Sequence, residues 1–221
     1  MRINPDILDG CVLFAGIAPE DRGPMLGCLG ARMLEVGKNQ VIFQEGDPAN
    51  WVGIVLEGCV QMVREDYYGN RSILARIGPL GLFGESFACA DVQTLPVSVV
   101  AVEDSTVLII DSRRITVTCA NACGFHNQMI FNMLKVVANK NLVLNQKIEI
   151  TSKRTTREKL MTYLLAQAKL HSSDTFTIPY DRQALADYLE VDRSAMSAEI
   201  SKLRKEGVLD CTRSSFRLLK Q

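Results

Sequence analysis

Short runs of valine, isoleucine and leucine alternate with glycines between Glu35 and Arg113. The runs cover residues 41–43, 52–56, 60–63, 72–77, 97–102 and 106–110. Each run is shorter than an ordinary helix and rich in residues favoured in strands, and the glycines between the runs mark turns. This part of the chain therefore predicts a β barrel or sandwich, an architecture whose loops can hold a ligand.

The apolar spacing changes to a helical period after Arg114. Apolar residues then recur at intervals of four and three, and an asparagine fills the one gap in the series. The positions are Ile130, Leu134, Val137, Asn141, Leu144 and Ile148. Such a heptad seam is typical of a two-stranded coiled coil, and an asparagine within it favours an in-register dimer. We predict a dimerisation helix over residues 124–150; the alternative is that the stripe packs on the chain's own β domain.

A polar segment at residues 152–157 follows as a predicted hinge. Thr155 and Glu158 have the spacing of a capping box, which predicts a helix from there to about Leu170. Residues 171–174 are predicted to form a loop that contains His171, and residues 176–178 a short strand.

Residues 181–206 carry the pattern of two helices joined by a tight turn. Asp181 and Asp192 are each placed to cap a helix, and residues 190–192 form the turn. The second helix has an apolar face of Met196, Ile200 and Leu203 and an opposite face of Arg193, Ser194, Ser197, Ala198 and Ser201. Because small polar side chains let a helix enter the major groove, the pattern predicts a helix-turn-helix that reads DNA.

A basic hairpin is predicted after Gly207, which ends the second helix. Residues 208–210 and 216–219 form its strands, and the turn between them contains Arg213, placed to meet a DNA phosphate. A helix-turn-helix followed by such a hairpin predicts a winged DNA-binding domain.

The charges are unevenly distributed although the net charge is zero. Residues 1–151 contain 12 Lys and Arg against 16 Asp and Glu, whereas residues 152–221 contain 13 against 9. A positive C-terminal part agrees with a polyanionic partner.

The cysteines and the length of the apolar segments indicate the cellular compartment. The seven cysteines are odd in number and scattered, as in proteins that keep their thiols reduced. The N-terminus lacks the pattern of a secretory signal, and no apolar run approaches the ~20 residues that span a bilayer. We therefore expect a cytoplasmic protein with no membrane partner.

Four segments, in order, resemble the cyclic-AMP receptor protein and fumarate-nitrate regulator (CRP/FNR) family of bacterial transcription regulators. They are Phe-Gln-Glu-Gly-Asp at 43–47 with Leu-Glu-Gly at 56–58, Gly-Leu-Phe-Gly-Glu at 81–85, the long helix, and the segment from 181–186 to 206–207. The resemblance implies an α+β fold with an N-terminal double-stranded β-helix (a β-roll or jelly roll) as sensor, a long dimerisation helix and a C-terminal winged helix-turn-helix. The corresponding domains are residues 1–114, 115–151 and 152–221.

The resemblance also implies which residues touch DNA. Gln183 and Asp192 match positions that contact the backbone, and Arg193, Ser194 and Ser197 match positions that read bases. With Arg213 of the predicted wing, these are the expected DNA-binding residues.

The chain departs from the family at two base-reading positions. Many members carry arginine at the position of Ala198 and glutamate at that of Ser194. The resemblance therefore transfers the DNA-binding scaffold and not the target sequence.

The phosphate-binding cassette departs from the family as well. Members that bind cyclic nucleotides have an Arg-Ser or Arg-Thr pair about a dozen residues after Gly-Glu, whereas this chain has Leu-Pro-Val-Ser at 95–98 and no arginine between Glu85 and Arg113. A buried phosphodiester would there be an unpaired charge. We expect an unidentified small-molecule effector other than cyclic AMP, apolar or carboxylate-bearing. Its predicted contacts are Gly84, Glu85, Ser86, Val97, Ser98, Asn141 and Asn145.

The rival hypothesis is a redox- or metal-sensing regulator on the same scaffold. Cys119, Cys123 and His126 can share one helical face with metal-ligand chemistry, but a fourth ligand is not evident and no metal site is predicted. Cys11 and Cys28 lack the tight cluster of the iron–sulfur members.

No nucleophile–base pair argues for an enzyme. The expected partners are double-stranded DNA with an inverted-repeat operator, a second copy of the chain, and RNA polymerase.

Overall fold

The computed structural model describes residues 5–116 and 124–219. The chain forms two compact units, one of Met1–Gly69 with Leu74–Asn141 and one of Asn70–Ile73 with Leu142–Gln221. The domain boundaries proposed after residues 114 and 151 stay a prediction.

Among the residues described, the β-rich part consists of eight strands, three short α-helices and an N-terminal helical segment of two 3-10 helices, Pro5–Leu8 and Val12–Phe14. The strands are β1 (Arg32–Val36), β2 (Val41–Phe43), β3 (Trp51–Glu57), β4 (Val60–Glu65), β5 (Arg71–Ile77), β6 (Leu82–Phe83), β7 (Ser98–Ala101) and β8 (Ser105–Asp111). The helices are α1 (Pro19–Cys28), α2 (Glu85–Cys89) and α3 (Arg113–Thr116), and the long helix α4 (Gly124–Thr151) follows.

The strands form two four-stranded sheets with the orders β1-β8-β3-β6 and β2-β7-β4-β5. Strand β3 runs antiparallel to β8, and β4 runs antiparallel to β7. Apart from the β4–β5 pair, consecutive strands alternate between the two sheets. This connection is that of a double-stranded β-helix and confirms the predicted architecture.

Alternate residues of β3 and β8 face two different cores, as the two-residue period of a strand requires. Ile54 and Leu108 belong to one buried cluster, which they share with the N-terminal helical segment and α4. Val55 and Val107 belong to another, which they share with β4 and β7 of the opposite sheet.

Gly53 on β3 leaves room for the ring of Phe83. Phe83 is fully buried, and a Cβ added to Gly53 would lie 2.0 Å from its Cζ atom. The glycine is therefore needed for close packing rather than for backbone freedom.

The N-terminal half of α4 is fixed to the first unit. Met129, Met133 and Val136 are buried in its core. The Asn132 amide, also buried, donates hydrogen bonds to the carbonyl oxygens of Leu13 at 3.0 Å and Ala15 at 2.8 Å.

The second unit contains the C-terminal elements. They are α5 (Thr156–His171), β9 (Thr175–Thr177), α6 (Arg182–Leu189), α7 (Arg193–Lys205), β10 (Leu209–Thr212) and β11 (Ser215–Leu218). The three strands form one antiparallel sheet in the order β10-β11-β9. Helix α7 packs against both α5 and α6, which completes a winged helix-turn-helix and confirms the α+β fold class.

Three tyrosine rings and one lysine join the helices of the second unit. The centroid of Tyr188 lies 5.5 Å from that of Tyr163 and 5.0 Å from that of Tyr180. Lys147 of α4 places Nζ 4.6 Å from the Tyr188 centroid and donates a hydrogen bond to the carbonyl of Ile73. These contacts satisfy a buried ammonium with a carbonyl and an aromatic face.

The predicted helix caps agree with the structure, and the hinge at residues 152–157 stays a prediction. Thr155 and Glu158 form a complete capping box at the start of α5. Asp181 accepts a hydrogen bond from the N–H of Ala184, and Asp192 accepts one from that of Ala195.

Some sequence predictions need correction. Strands β1 and β6 were not predicted, because β1 carries an arginine and a glutamate among its apolar residues and β6 is only two residues long. His171 is the last residue of α5 and not part of the following loop, and its ring stacks on Phe176.

In the described part of the chain, no helix is long and apolar enough to cross a membrane.

Replacing Gly53 by alanine is expected to destabilise the β-roll. Because the added methyl group overlaps the Phe83 ring in a filled core, the free energy of unfolding should fall by about 1–3 kcal/mol. Urea denaturation followed by the fluorescence of Trp51, the one tryptophan of the chain, measures this change.

Gly27→Ala is the matched control, because nothing lies within 4 Å of a Cβ at Gly27 on α1. We expect this variant to be unchanged or more stable by up to about 1 kcal/mol. Equal stabilities of the two variants would contradict the assigned packing.

Candidate nucleic-acid interface and effector site

Helix α7 buries one face and exposes the other. Met196, Ile200 and Leu203 are buried against α5 and α6. Of the predicted base-reading residues on the opposite face, Arg193 and Ser194 are exposed and Ser197 is half-buried. Ala198 and Ser201 on the same face are also small and exposed, so the N-terminal part of the helix surface can approach a groove closely, whereas the last turn carries the exposed basic residues Lys202, Arg204 and Lys205.

The N-terminus of α7 is ordered by Asp192. Its carboxylate accepts hydrogen bonds from the Ser194 hydroxyl and from the backbone N–H of Ala195 at 2.8 Å. The bond from Ser194 is the main cause that lowers the pKa of Asp192. Asp192 therefore stays ionised near neutral pH and holds the first turn of the helix.

Lys159 stabilises the turn between α6 and α7. Glu190 ends α6 in the left-handed conformation, with φ of 54°, and the Lys159 ammonium donates to its carbonyl at 3.2 Å. The turn is thus attached to α5 at the point where α6 and α7 change direction.

Arg157 neutralises two carboxylates of the second unit on the side of α5. It pairs with Glu206 at 2.6 Å and with Glu199 at 3.3 Å. The hydrogen bond from Arg157 is the main cause that lowers the pKa of Glu206. These acids are engaged with α5 rather than with the exposed serine face of α7.

The wing presents Arg213 at its tip. Arg213 and Ser214 connect β10 to β11, and Arg213 is exposed with φ of 54°. The Ser214 hydroxyl donates to the carbonyl of Tyr180 at 2.9 Å, which fixes the turn to the segment before α6.

Gln183 lies on the exposed side of α6. Its amide donates to the Asp187 carboxylate at 2.7 Å, which orients the side chain along the helix. The structure thus places all six predicted DNA-binding residues within the second unit, on α6, on the turn before α7, on α7 itself and at the wing tip. Their contacts with DNA stay a prediction.

The predicted effector site begins at Gly84. Its φ is 81°, and a Cβ there would lie 2.8 Å from the carbonyl oxygen of Trp51. The glycine therefore lets the backbone pass close to β3 and starts α2, which Glu85 and Ser86 open.

Glu85 is buried and forms an ion pair with a lysine from the long helix. Its side chain is 2% exposed, and Oε1 lies 2.8 Å from Lys140 Nζ. The Ser86 hydroxyl donates to the same oxygen at 3.0 Å. Lys140 also donates to the carbonyl of Leu82 at 2.6 Å.

Lys140 was not predicted from the sequence, because a cation was expected only within the phosphate-binding cassette itself. The lysine comes from α4, far along the chain. Its position next to Asn141, which was already predicted to reach the site, was the signal that could have found it.

The other predicted effector contacts are Val97, Ser98, Asn141 and Asn145. Val97 is buried, and the Ser98 hydroxyl accepts a hydrogen bond from the N–H of Glu45 at 3.0 Å. Asn141 and Asn145 are exposed on α4, and Asn145 belongs to the second unit. The structure thus brings Gly84, Glu85 and Ser86 together, and the role of the remaining four stays a prediction.

The predicted dimer seam is a solvent-exposed apolar stripe. Its residues Ile130, Leu134, Asn141, Leu144 and Ile148 are exposed, and Val137 is half-buried. Leu134 is 64% exposed, and Leu144 and Ile148 are each 55% exposed. Leu142 and Val143, which the heptad pattern did not include, are also exposed on α4. The buried residues of α4 belong to another face.

Three of the described cysteines are poor candidates for reactive thiolates. Burial is the main cause that raises the pKa of Cys11, Cys59 and Cys89. A raised pKa lowers the thiolate fraction and hence the reactivity. Cys119 and Cys123 lie outside the described residues, and elsewhere no group of three potential metal ligands occurs.

Known protein families match both the β-roll and the C-terminal unit. Residues 33–121 match the cyclic nucleotide-binding domain, and residues 158–220 match the Crp-like helix-turn-helix domain. The cyclic AMP receptor protein of Thermus thermophilus is 36% identical over 101 residues, 46% of this chain and 45% of that protein. The match thus spans about half the length of that relative.

Solved structures share the fold over most of the chain. The c-di-GMP-responsive global regulator CLP of Xanthomonas campestris has a TM-score of 0.73 at 15% identity, over 90% of this chain and 98% of that chain. A mutant of CooA from Carboxydothermus hydrogenoformans has a TM-score of 0.70 at 19% identity, over 89% and 86%. At these identities the likeness shows the fold alone.

The two family domains occur in one order on one shared fold, and the chain belongs to the CRP/FNR family of bacterial transcription regulators.

Proposed function

We propose that this protein is a homodimeric transcription regulator that binds an inverted-repeat DNA operator and is gated by a small-molecule effector other than cyclic AMP. Its expected partners are operator DNA and RNA polymerase, and its expected location is the cytoplasm. Members of the family are regulators rather than enzymes.

The two-faced helix α7 is the observation that carries the DNA-binding proposal. Its apolar side is used in packing, whereas its outward side carries Arg193 and small residues in the first turns and basic residues in the last turn. The exposed wing arginine and the excess of basic residues after residue 151 add the phosphate-binding charge that such a reader needs.

The exposed stripe on α4 supports the homodimer. Large apolar side chains at a heptad spacing are rarely left in water by a soluble protein. A second copy supplies the complementary seam, with Asn141 facing its counterpart. A two-fold dimer carries two recognition helices, which is why we propose an inverted repeat.

The ion pair of Glu85 with Lys140 restricts the charge that an effector can carry. Its carboxylate is buried and already paired with Lys140. A phosphodiester placed here would share a single ammonium with Glu85, and desolvating that second negative charge is costly. This balance disfavours cyclic AMP even with Lys140 present.

Replacing Leu134 and Leu144 together by aspartate is expected to produce monomers. Four carboxylates would then face each other across the seam, while the single chain keeps its fold because both leucines are exposed. Sedimentation equilibrium measures the oligomeric state, and operator binding should be lost in parallel.

The matched control places two aspartates at Asn139 and Gln146, which are exposed on α4 at the heptad position farthest from the seam. This variant should stay dimeric. If the leucine variant stays dimeric as well, the seam is not the interface.

Two arginine substitutions are expected to differ in their effect on DNA. Once an operator has been selected from random duplexes, Arg193→Ala should lower discrimination by about 1–3 kcal/mol at one base pair of each half-site, because it removes a base contact. Arg213→Ala should weaken binding to all sequences and flatten the salt dependence, because it removes a phosphate contact. Equilibrium binding on operator variants over a salt series measures both effects.

Arg64→Ala, an exposed arginine of the β-roll, is the control and should leave DNA binding unchanged. Equal losses for Arg193→Ala and Arg213→Ala on every duplex would refute the assigned roles.

Cyclic nucleotides are expected not to act as effectors. Calorimetric titration of the purified dimer with cyclic AMP and cyclic GMP should give no stoichiometric isotherm in the low micromolar range. Such an isotherm, together with tighter operator binding, would restore the nucleotide-sensor assignment.

A further inference from the structure

The carboxylate of Glu85 is only partly satisfied. Oε1 accepts hydrogen bonds from Lys140 and from Ser86, whereas Oε2 is buried and has no hydrogen-bond partner. A buried carboxylate oxygen without a donor is unfavourable, so Oε2 is a site that an incoming N–H or O–H group would stabilise.

Lys140 is the accessible member of the pair. Its side chain is 35% exposed, against 2% for Glu85. An ammonium has three N–H donors, and two of them point to Glu85 and to the carbonyl of Leu82. The third N–H is available to an acceptor that approaches from the exposed side of Lys140.

Charge balance selects the class of ligand. Glu85 and Lys140 together are neutral. An anion bound here would compete with Glu85 for one ammonium, and a cation bound to Glu85 would add to the charge of Lys140. A ligand that carries one positive and one negative charge can place its positive group beside Glu85 and its negative group beside Lys140.

We propose that Glu85 and Lys140 recognise a zwitterion, an α- or β-amino acid, whose ammonium donates to Glu85 Oε2 and whose carboxylate accepts from Lys140 Nζ. This inference rests on the proposed function, since it identifies the chemistry of the effector. It requires no further cation in the cassette.

The spacing of the pair favours a short ligand. Lys140 Nζ lies 2.8 Å from Oε1, and the free oxygen Oε2 is bonded to the same carbon as Oε1. The ammonium and carboxylate of the ligand must therefore be separated by only one or two carbon atoms. The four charged groups then alternate in sign around a closed ring.

The site also connects ligand binding to the dimer helix. Lys140 precedes Asn141 of the exposed stripe on α4. A ligand that binds Lys140 therefore contacts the helix that carries the predicted dimer seam.

The test uses the full-length dimer and calorimetry. The probes are the twenty L-α-amino acids and β-alanine, each compared with the 2- or 3-hydroxy acid that lacks the ammonium and with the amide that lacks the carboxylate. We expect one or a few amino acids to bind, and their hydroxy-acid and amide analogues to bind at least about tenfold more weakly.

Two single variants test whether the amino acid binds at Glu85 and Lys140. Glu85→Gln and Lys140→Met should each weaken binding of that amino acid by about tenfold or more, because each removes one charge contact. The double variant Glu85→Gln/Lys140→Met removes both charges of the pair, so it leaves neither charge unpaired and serves as the test if a single variant is unstable. Lys135→Met, an exposed lysine of the same helix, should bind as the parent does.

Three results would overturn the proposal. They are equal binding of amino acid and hydroxy acid, unchanged binding in the double variant, and no binding of any probe, which would mean that water satisfies Oε2. Dimerisation and operator binding are measured on the same samples. If both persist while no amino acid binds, the regulator assignment stands and this inference fails; if both are absent, the regulator assignment fails.

Discussion

The long helix α4 can serve two surfaces because its period places apolar residues on two faces. Met129, Met133 and Val136 anchor one face in the core of the β-roll. Leu134 and Leu144 lie on another face, which the single chain leaves in water. A helix that is fixed on one side presents the other side in a defined orientation, so a seam for a second chain is positioned without further contacts.

The same helix carries two lysines that bond to main-chain carbonyls of the β-roll strands. Lys140 donates to Leu82 within the first unit, and Lys147 donates to Ile73 within the second. Each has a further partner, the carboxylate of Glu85 and the ring of Tyr188 respectively. The position of the helix is therefore coupled to two ammonium groups that are costly to leave unpaired.

Local features of this protein were predictable from the sequence, and long-range ones were not. The capping box at Thr155 and the caps at Asp181 and Asp192 depend on neighbours three residues away, so spacing alone identified them. The fold followed from ordered motifs that resemble a known family. The pairing of Glu85 with Lys140 joins two elements far apart in the chain, and the only sequence signal for it is that Lys140 precedes Asn141, which was predicted to reach the effector site. The same holds for β1, which forms because β8 offers it a paired edge.

At the wing tip, backbone stability and the proposed DNA contact favour different residues. A two-residue hairpin turn with positive φ is the place where glycine or asparagine is normally favoured, since a side chain there costs about 1 kcal/mol or more. This chain instead has Arg213, with φ of 54°. A thermostability screen that ignores DNA would therefore select glycine at this position and discard a cation. Sequences of thermophilic relatives that retain a cation here would mark the residue as maintained by binding rather than by folding.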